Sequence, residues 1–167
     1  MTLLETAKYT KDICGIDDSI EDIINEWKET AYDEYKNNVK LKYGAYEYIM
    51  FLKQNNIKIG IATTCERKLY EVCLKKHKIY SLFDTIVDST LVNRGKNFPD
   101  IYELCAKNLG LTYKDIIVFE DVIDGIKGAK KTGMKVYCVY DKNSLEKLDD
   151  ILNVSDEYIT DFREMIV

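Results

Sequence analysis

Between Asp17 and Asn38 the apolar residues Ile20, Ile23, Ile24, Trp27 and Ala31 recur at spacings of three and four. That period predicts an amphipathic helix, and Asp18 with Glu21 reads as a capping box at its start. A weaker helical pattern over 3–14 (Leu3, Ala7, Cys14) ends at Gly15, so the first 40 residues read as all-helical and acidic. After Gly44 the texture changes to short β-branched runs alternating with helical stretches. A helix near 45–54 is ended by Asn55-Asn56, and strands are predicted at Ile57–Thr63, Thr85–Asp88, Ile116–Phe119 and Val136–Tyr140. Helices are predicted over about 66–77, 99–109 and 123–132, with Pro99 in a first turn and Gly110 and Gly133 as stops. Strand, helix, strand in repetition means parallel pairing, an α/β chain with a Rossmann-like sheet flanked by helices. In such sheets ligands sit beyond the carboxyl ends of the strands, here just after Thr63, Asp88, Phe119 and Tyr140.

Composition narrows the classes. The chain has 167 residues with 24 Lys+Arg against 29 Asp+Glu, a net charge of −5 and scattered lysines. That argues against nucleic acid, which needs a concentrated basic face. The longest apolar runs are about five residues, such as Tyr48 to Leu52, far short of a bilayer span, so no membrane helix is expected. Charge at Glu5 precedes any apolar signal region, and a cytoplasmic location is the expectation. Five cysteines without a C-x-x-C pair read as small hydrophobes in a reducing compartment. The single histidine, His77, lies in a basic run and reads as a surface residue, which leaves no zinc site and no imidazole-based catalysis.

Three strand ends carry candidate chemistry. Ile61-Ala62-Thr63-Thr64-Cys65 puts two hydroxyls and backbone N–H groups at a helix start, either an anion seat or a helix cap. Lys96, in the loop Gly95-Lys96-Asn97-Phe98-Pro99-Asp100, is either solvated or a phosphate neutraliser. Glu120 and Asp121 end a buried strand, where charge needs a partner. A magnesium ion would suit them, taking one or two carboxylates plus water and phosphate oxygens. Alternatively Asp121 caps the next helix and Glu120 is solvated. In that helix Gly125, Gly128 and Ala129 read as a small face for packing on the sheet.

The order Ala-Thr-Thr, then Gly-Lys-Asn-Phe-Pro-Asp-Ile-Tyr, then Val-Phe-Glu-Asp-Val-Ile-Asp-Gly-Ile-Lys-Gly-Ala resembles the haloacid dehalogenase superfamily, most strongly its β-phosphoglucomutase-like phosphatases. The resemblance implies an HAD-like core over 41–167 and a partial helical cap over 1–40. It implies that Thr63, with Thr64, holds a phosphoryl group and Lys96 offsets its charge, with Thr63 and Lys96 as the catalytic pair. Glu120 and Asp121 would help to hold Mg2+. The ligand implied is a small phosphorylated metabolite, and the activity that of a phosphatase or phosphohexomutase.

The family's first strand ends in Asp-x-Asp-Gly, whose first Asp becomes phosphorylated. No two aspartates stand two positions apart in this sequence. Threonine, lysine and two acids position and neutralise a phosphoryl group without accepting it, so the chain as written is expected to be inactive. The resemblance places that strand between those ending at Thr63 and Phe119. Its absence would leave two inner edges to pair directly, to be filled by another chain, or to mark an incomplete sequence. The alternatives to an enzyme lineage are a non-catalytic phosphate-binding module and a truncated remnant that dimerises through strand edges.

Overall fold

The computed structural model describes residues 2–166. Helix α1 (Leu3–Cys14) begins at Thr2, which forms a reciprocal capping box with Glu5, and ends on Gly15 in the left-handed region at φ 63°. Helix α2 (Ile20–Asn37) starts one residue later than the periodicity predicts. Its cap is Ser19, whose hydroxyl accepts from the Asp22 N–H at 3.1 Å, so the Asp18–Glu21 box does not form. The reason is local: the Lys11 ammonium gathers the carbonyls of Ile16, Asp17 and Asp18 and holds the turn open to that point.

Helix α3 (Ala45–Gln54) follows Gly44, which sits at φ 70° with Asp161 and Arg163 where a side chain would go. The alternating part then runs β1 (Gly60–Thr63), α4 (Arg67–Lys76), β2 (Thr85–Asp88), α5 (Asp100–Leu109), β3 (Ile117–Glu120), α6 (Ile123–Lys130), β4 (Lys135–Val139), α7 (Leu148–Val154) and β5 (Glu157–Ile159). All pairings are parallel, and α2 packs along α4. The α/β reading therefore holds.

The strand predicted from Ile57 begins only at Gly60, because Ile59 donates its N–H to the Asp84 carboxylate and Lys58 reaches the Leu109 carbonyl. β3 and β4 lie one residue away from their predicted ranges, and β5 and α7 were not foreseen; a three-residue strand is too short to show a period.

Among the described residues the strands form two sheets, β1-β2 and β3-β4-β5. Direct pairing of β1 with β3 does not occur. The main core lies around Val87, Ile101, Ile126, Val136 and Ile151. Gly60 is required where α5 lies on β1, since a Cβ there would meet the Cys105 sulfur at 2.5 Å. Cys73, Cys105 and Cys138 are buried as small hydrophobes, and burial pushes the thiols of Cys105 and Cys138 up to about 11. Cys14 is exposed instead. His77 is half-buried at the end of α4, with Nε2 3.0 Å from the Val39 carbonyl, so it is not a plain surface residue.

Asp156 ties β5 to its neighbours: one oxygen pairs with Lys130 at 2.7 Å and the other accepts the Val136 N–H at 2.7 Å. Lys130 first, and that N–H second, hold its carboxyl below the usual range. A depressed carboxylate stabilises the fold above its unfolded pKa, about 4, and loses that contribution as pH falls through its folded value. Asp156→Asn is expected to cost about 1 kcal/mol at pH 7, discounted for partial exposure, and much less near pH 2. Urea unfolding at the two pH values checks this; an equal difference at both would contradict it.

Candidate functional site

Within each sheet parallel pairing carries the strand ends to one side, and the chemistry-bearing residues lie at those ends; Tyr102 of α5, the helix that packs on β1 and β2, reaches the end of β3. At the end of β3 the Glu120 side chain is only 7% exposed. A carboxylate withdrawn from water is costly unless partnered, and this one has two partners. Lys96 forms an ion pair with Oε1, and the Tyr102 hydroxyl donates to the same oxygen at 2.8 Å. Burial, then the Glu120 charge, pushes the Tyr102 phenol far above its ordinary value, so it remains a donor. Lys96 is thus not a solvated loop lysine, and Glu120 is not solvated.

Helix α6 makes room for this pair. A Cβ on Gly125 would stand 2.7 Å from the Glu120 carboxylate, and one on Gly128 would overlap the Lys96 carbonyl. The small face packs on the sheet as predicted, Gly125 against Glu120 at the end of β3 and Ala129 in the core beside β4, while Gly128 lies against the loop that carries Lys96.

Asp121 does not cap α6; the capping position is Val122, without a side-chain bond. Its carboxylate meets the Lys42 ammonium at 3.0 Å, and Lys42 also reaches Asp141 at 2.7 Å and the Tyr140 carbonyl at 3.1 Å. Burial works to lower the Lys42 pKa, but the two carboxylates outweigh it and the net direction is upward. Lys42, with smaller help from the Asn143 N–H, holds Asp141 below the usual carboxylate range. The Ser144 hydroxyl donates to the Asp121 carbonyl at 2.6 Å and fixes the backbone there.

Across from these acids, the Thr63 hydroxyl accepts from the Cys65 N–H at 3.0 Å. This closes the turn after β1 and leaves the hydroxyl proton to donate elsewhere. Thr64 is exposed, and α4 begins only at Arg67, with Glu66 at its capping position. The Tyr35 phenol of α2 is pushed up to about 12, first by the neighbouring Cys65 thiol and then by burial, which places the helical pair against this turn. Arg67 is exposed and pairs with Glu71. Asp88, beside Thr63 in register, is taken up by Thr90 and Tyr70 and serves the loop.

The structure therefore joins Lys96 to Glu120 and places Asp121 next to them, while Thr63 and Thr64 stand on the neighbouring sheet. Sequence reasoning missed Tyr102, Lys42 and Asp141. Tyr102 lies within the Asp-Ile-Tyr motif and Asp141 directly follows a predicted strand end; Lys42 carried no signal. Among the described residues no three His, Cys, Asp or Glu side chains converge to hold a metal ion. Asp121 and Asp141, which share the Lys42 ammonium, are hard oxygen donors of the kind magnesium takes.

A model of the family described as haloacid dehalogenase-like hydrolase matches residues 1–139. The Bacillus subtilis protein YhcW is 33% identical over 119 residues, 71% of this chain and 54% of that protein. The phosphorylated carbohydrates phosphatase of Thermotoga maritima is 29% identical over 157 residues, 84% of this chain and 73% of the relative. The chain thus spans about half to three quarters of these relatives. The solved structure of CbbY from Rhodobacter sphaeroides, in complex with xylulose-(1,5)bisphosphate, superposes with a TM-score of 0.77 at 21% identity. It covers 88% of this chain and 66% of that one, a likeness of fold.

Tyr102→Phe removes one of the two donors to the buried Glu120 and is expected to destabilise the protein by about 1–2 kcal/mol. Gly128→Ala is expected to cost about 3 kcal/mol, because backbone at Lys96 has to move. Urea titration of both variants measures this; a Gly128→Ala protein as stable as the parent would contradict the packing described.

Proposed function

The chain belongs to the haloacid dehalogenase-like hydrolases, and on that premise we propose that its carboxyl-end cluster binds the phosphoryl group of a small phosphorylated metabolite, within a lineage of magnesium-dependent phosphatases and phosphohexomutases. The observation that carries this reading is the Lys96 ammonium held by buried Glu120 at a strand end, beside Asp121. An ammonium anchored from behind is a fixed positive charge, and phosphate oxygens meet it without a reorganisation cost. Thr63 has a hydroxyl proton to donate to the same group, with Thr64 beside it.

Glu120 and Asp121 form the acidic pair for Mg2+. Asp121 is the open member, whereas Glu120 already serves Lys96 and Tyr102 and orients the lysine. Bound magnesium would supply positive charge against phosphoryl oxygens. A cation held there would share the carboxylates of Asp121 and Asp141 with Lys42.

These groups position and neutralise. Covalent transfer needs a carboxylate in line with phosphorus, and no Asp-x-Asp pair occurs in the 167 residues. We accordingly read the chain as retaining phosphate affinity without turnover of its own. Residues 1–40 fit a partial helical cap, with α2 lying along α4 and Tyr35 beside Cys65. A cytoplasmic setting fits this substrate class, and no helix among the described residues is long and apolar enough to cross a membrane.

Calorimetry with magnesium and a hexose phosphate is expected to give saturable binding without phosphate release. Lys96→Ala should weaken it by about tenfold or more, the loss of one charge-assisted contact. Asp121→Asn should abolish the dependence of binding on magnesium. Absence of binding, or metal-dependent phosphate release by the purified chain, would overturn the reading.

A further inference from the structure

The loop that delivers Lys96 contains neither helix nor strand over residues 92–99, and from Asn93 to Asn97 it holds no aliphatic or aromatic side chain. Such a segment has little local reason to keep one conformation. Phe98 supplies an anchor. The Arg94 guanidinium carbon lies 4.5 Å from the centroid of the Phe98 ring, and the Lys131 ammonium lies 5.1 Å from it. At both distances the negative face of an aromatic ring attracts a cation. Each cation is itself tethered: Asp100, in the first turn of α5, takes the guanidinium through two contacts of 2.9 and 2.8 Å, and Lys131, just after α6, donates to the Asn97 carbonyl at 2.8 Å. The carbonyls of Lys96 and Phe98 lie against Gly128 of the same helix. Three consecutive carbonyls thus face α6, and one ring links the lysine after that helix to an arginine that α5 holds.

We propose that Phe98, gripped by Arg94 and Lys131, is a positioning residue that fixes this loop, so that the Lys96 ammonium stays where Glu120 holds it and a phosphoryl group meets it there. The proposal rests on the phosphate-binding reading above and deepens it. Lysine carries its charge on a flexible four-carbon stem, so the pairing with Glu120 anchors the ammonium, while the direction from which it is presented depends on where the Lys96 backbone stands. A lysine on a wandering loop has conformational freedom to lose when it meets phosphate, and it binds more weakly for that reason. Burial alone does not account for the arrangement, since any apolar side chain would serve it; two tethered cations over one ring require a π face.

The test compares Phe98→Leu, which keeps apolar bulk without a π face, with Phe98→Tyr, which keeps the face. Lysine reactivity in the purified chain is read by brief acetylation with limiting acetic anhydride, followed by mass spectrometry. Phe98→Leu is expected to raise the rate at Lys96 about fivefold, the loss of two exposed cation–ring contacts, and Phe98→Tyr to keep the parent's rate. Lys53, paired with Asp84 just before β2, should react equally in all three proteins. Calorimetry with inorganic phosphate is expected to show binding about fivefold weaker in Phe98→Leu and parent-like in Phe98→Tyr. The proposal is overturned by an unchanged Lys96 rate in Phe98→Leu, an equal rise in both variants, a matching rise at Lys53, or phosphate affinity in Phe98→Leu equal to the parent's. A parent chain that binds no phosphate, while Phe98→Leu selectively unmasks Lys96, would defeat the phosphate-binding reading and uphold the grip of Phe98 on Lys96.

Discussion

A carboxylate kept out of water at the end of β3 organises the charged side of this protein. Glu120 is tolerable there only because Lys96 and Tyr102 share one of its oxygens, and each partner fixes a further part of the chain. Lys96 brings the loop before α5 against α6, and Tyr102 brings the first turn of α5 to the same point. Glycines at 125 and 128 follow as steric conditions, one clearing space for the carboxylate and the other for the Lys96 backbone. A motif that looks like four separate signals along the chain is one packed object.

The second charged object, Lys42 between Asp121 and Asp141, links the segment before α3 to the ends of β3 and β4. It joins residues about a hundred positions apart through one ammonium group. The ammonium balances the charge of both carboxylates at that mouth.

The divided sheet sets the mechanical character of the fold. Each part is parallel, with α5 over β1 and β2 and α6 over β3 and β4, while an apolar slot separates them. Unpaired main-chain groups beside apolar walls are a standing cost.

Much was legible from the chain alone. Periods and local stop signals such as Gly15, Asn55 and Gly110 placed α1, α3, α5 and β2 closely, and the motif order pointed to the family and singled out Lys96, Glu120 and Asp121 as candidates. Short-range periodicity had no means of finding β5, the cap at Ser19 or the start of β1 at Gly60. Those depend on Asp156, Lys11 and Asp84 bonding to backbone elsewhere. Nor did it show that Glu120 is buried, that Lys42 serves Asp121, or that Gly128 makes room for the backbone at Lys96. Residue type and spacing determine which groups are present and which elements form; partnership between groups far apart in sequence is decided by tertiary packing, because desolvation and contact act only between atoms that the fold has brought together.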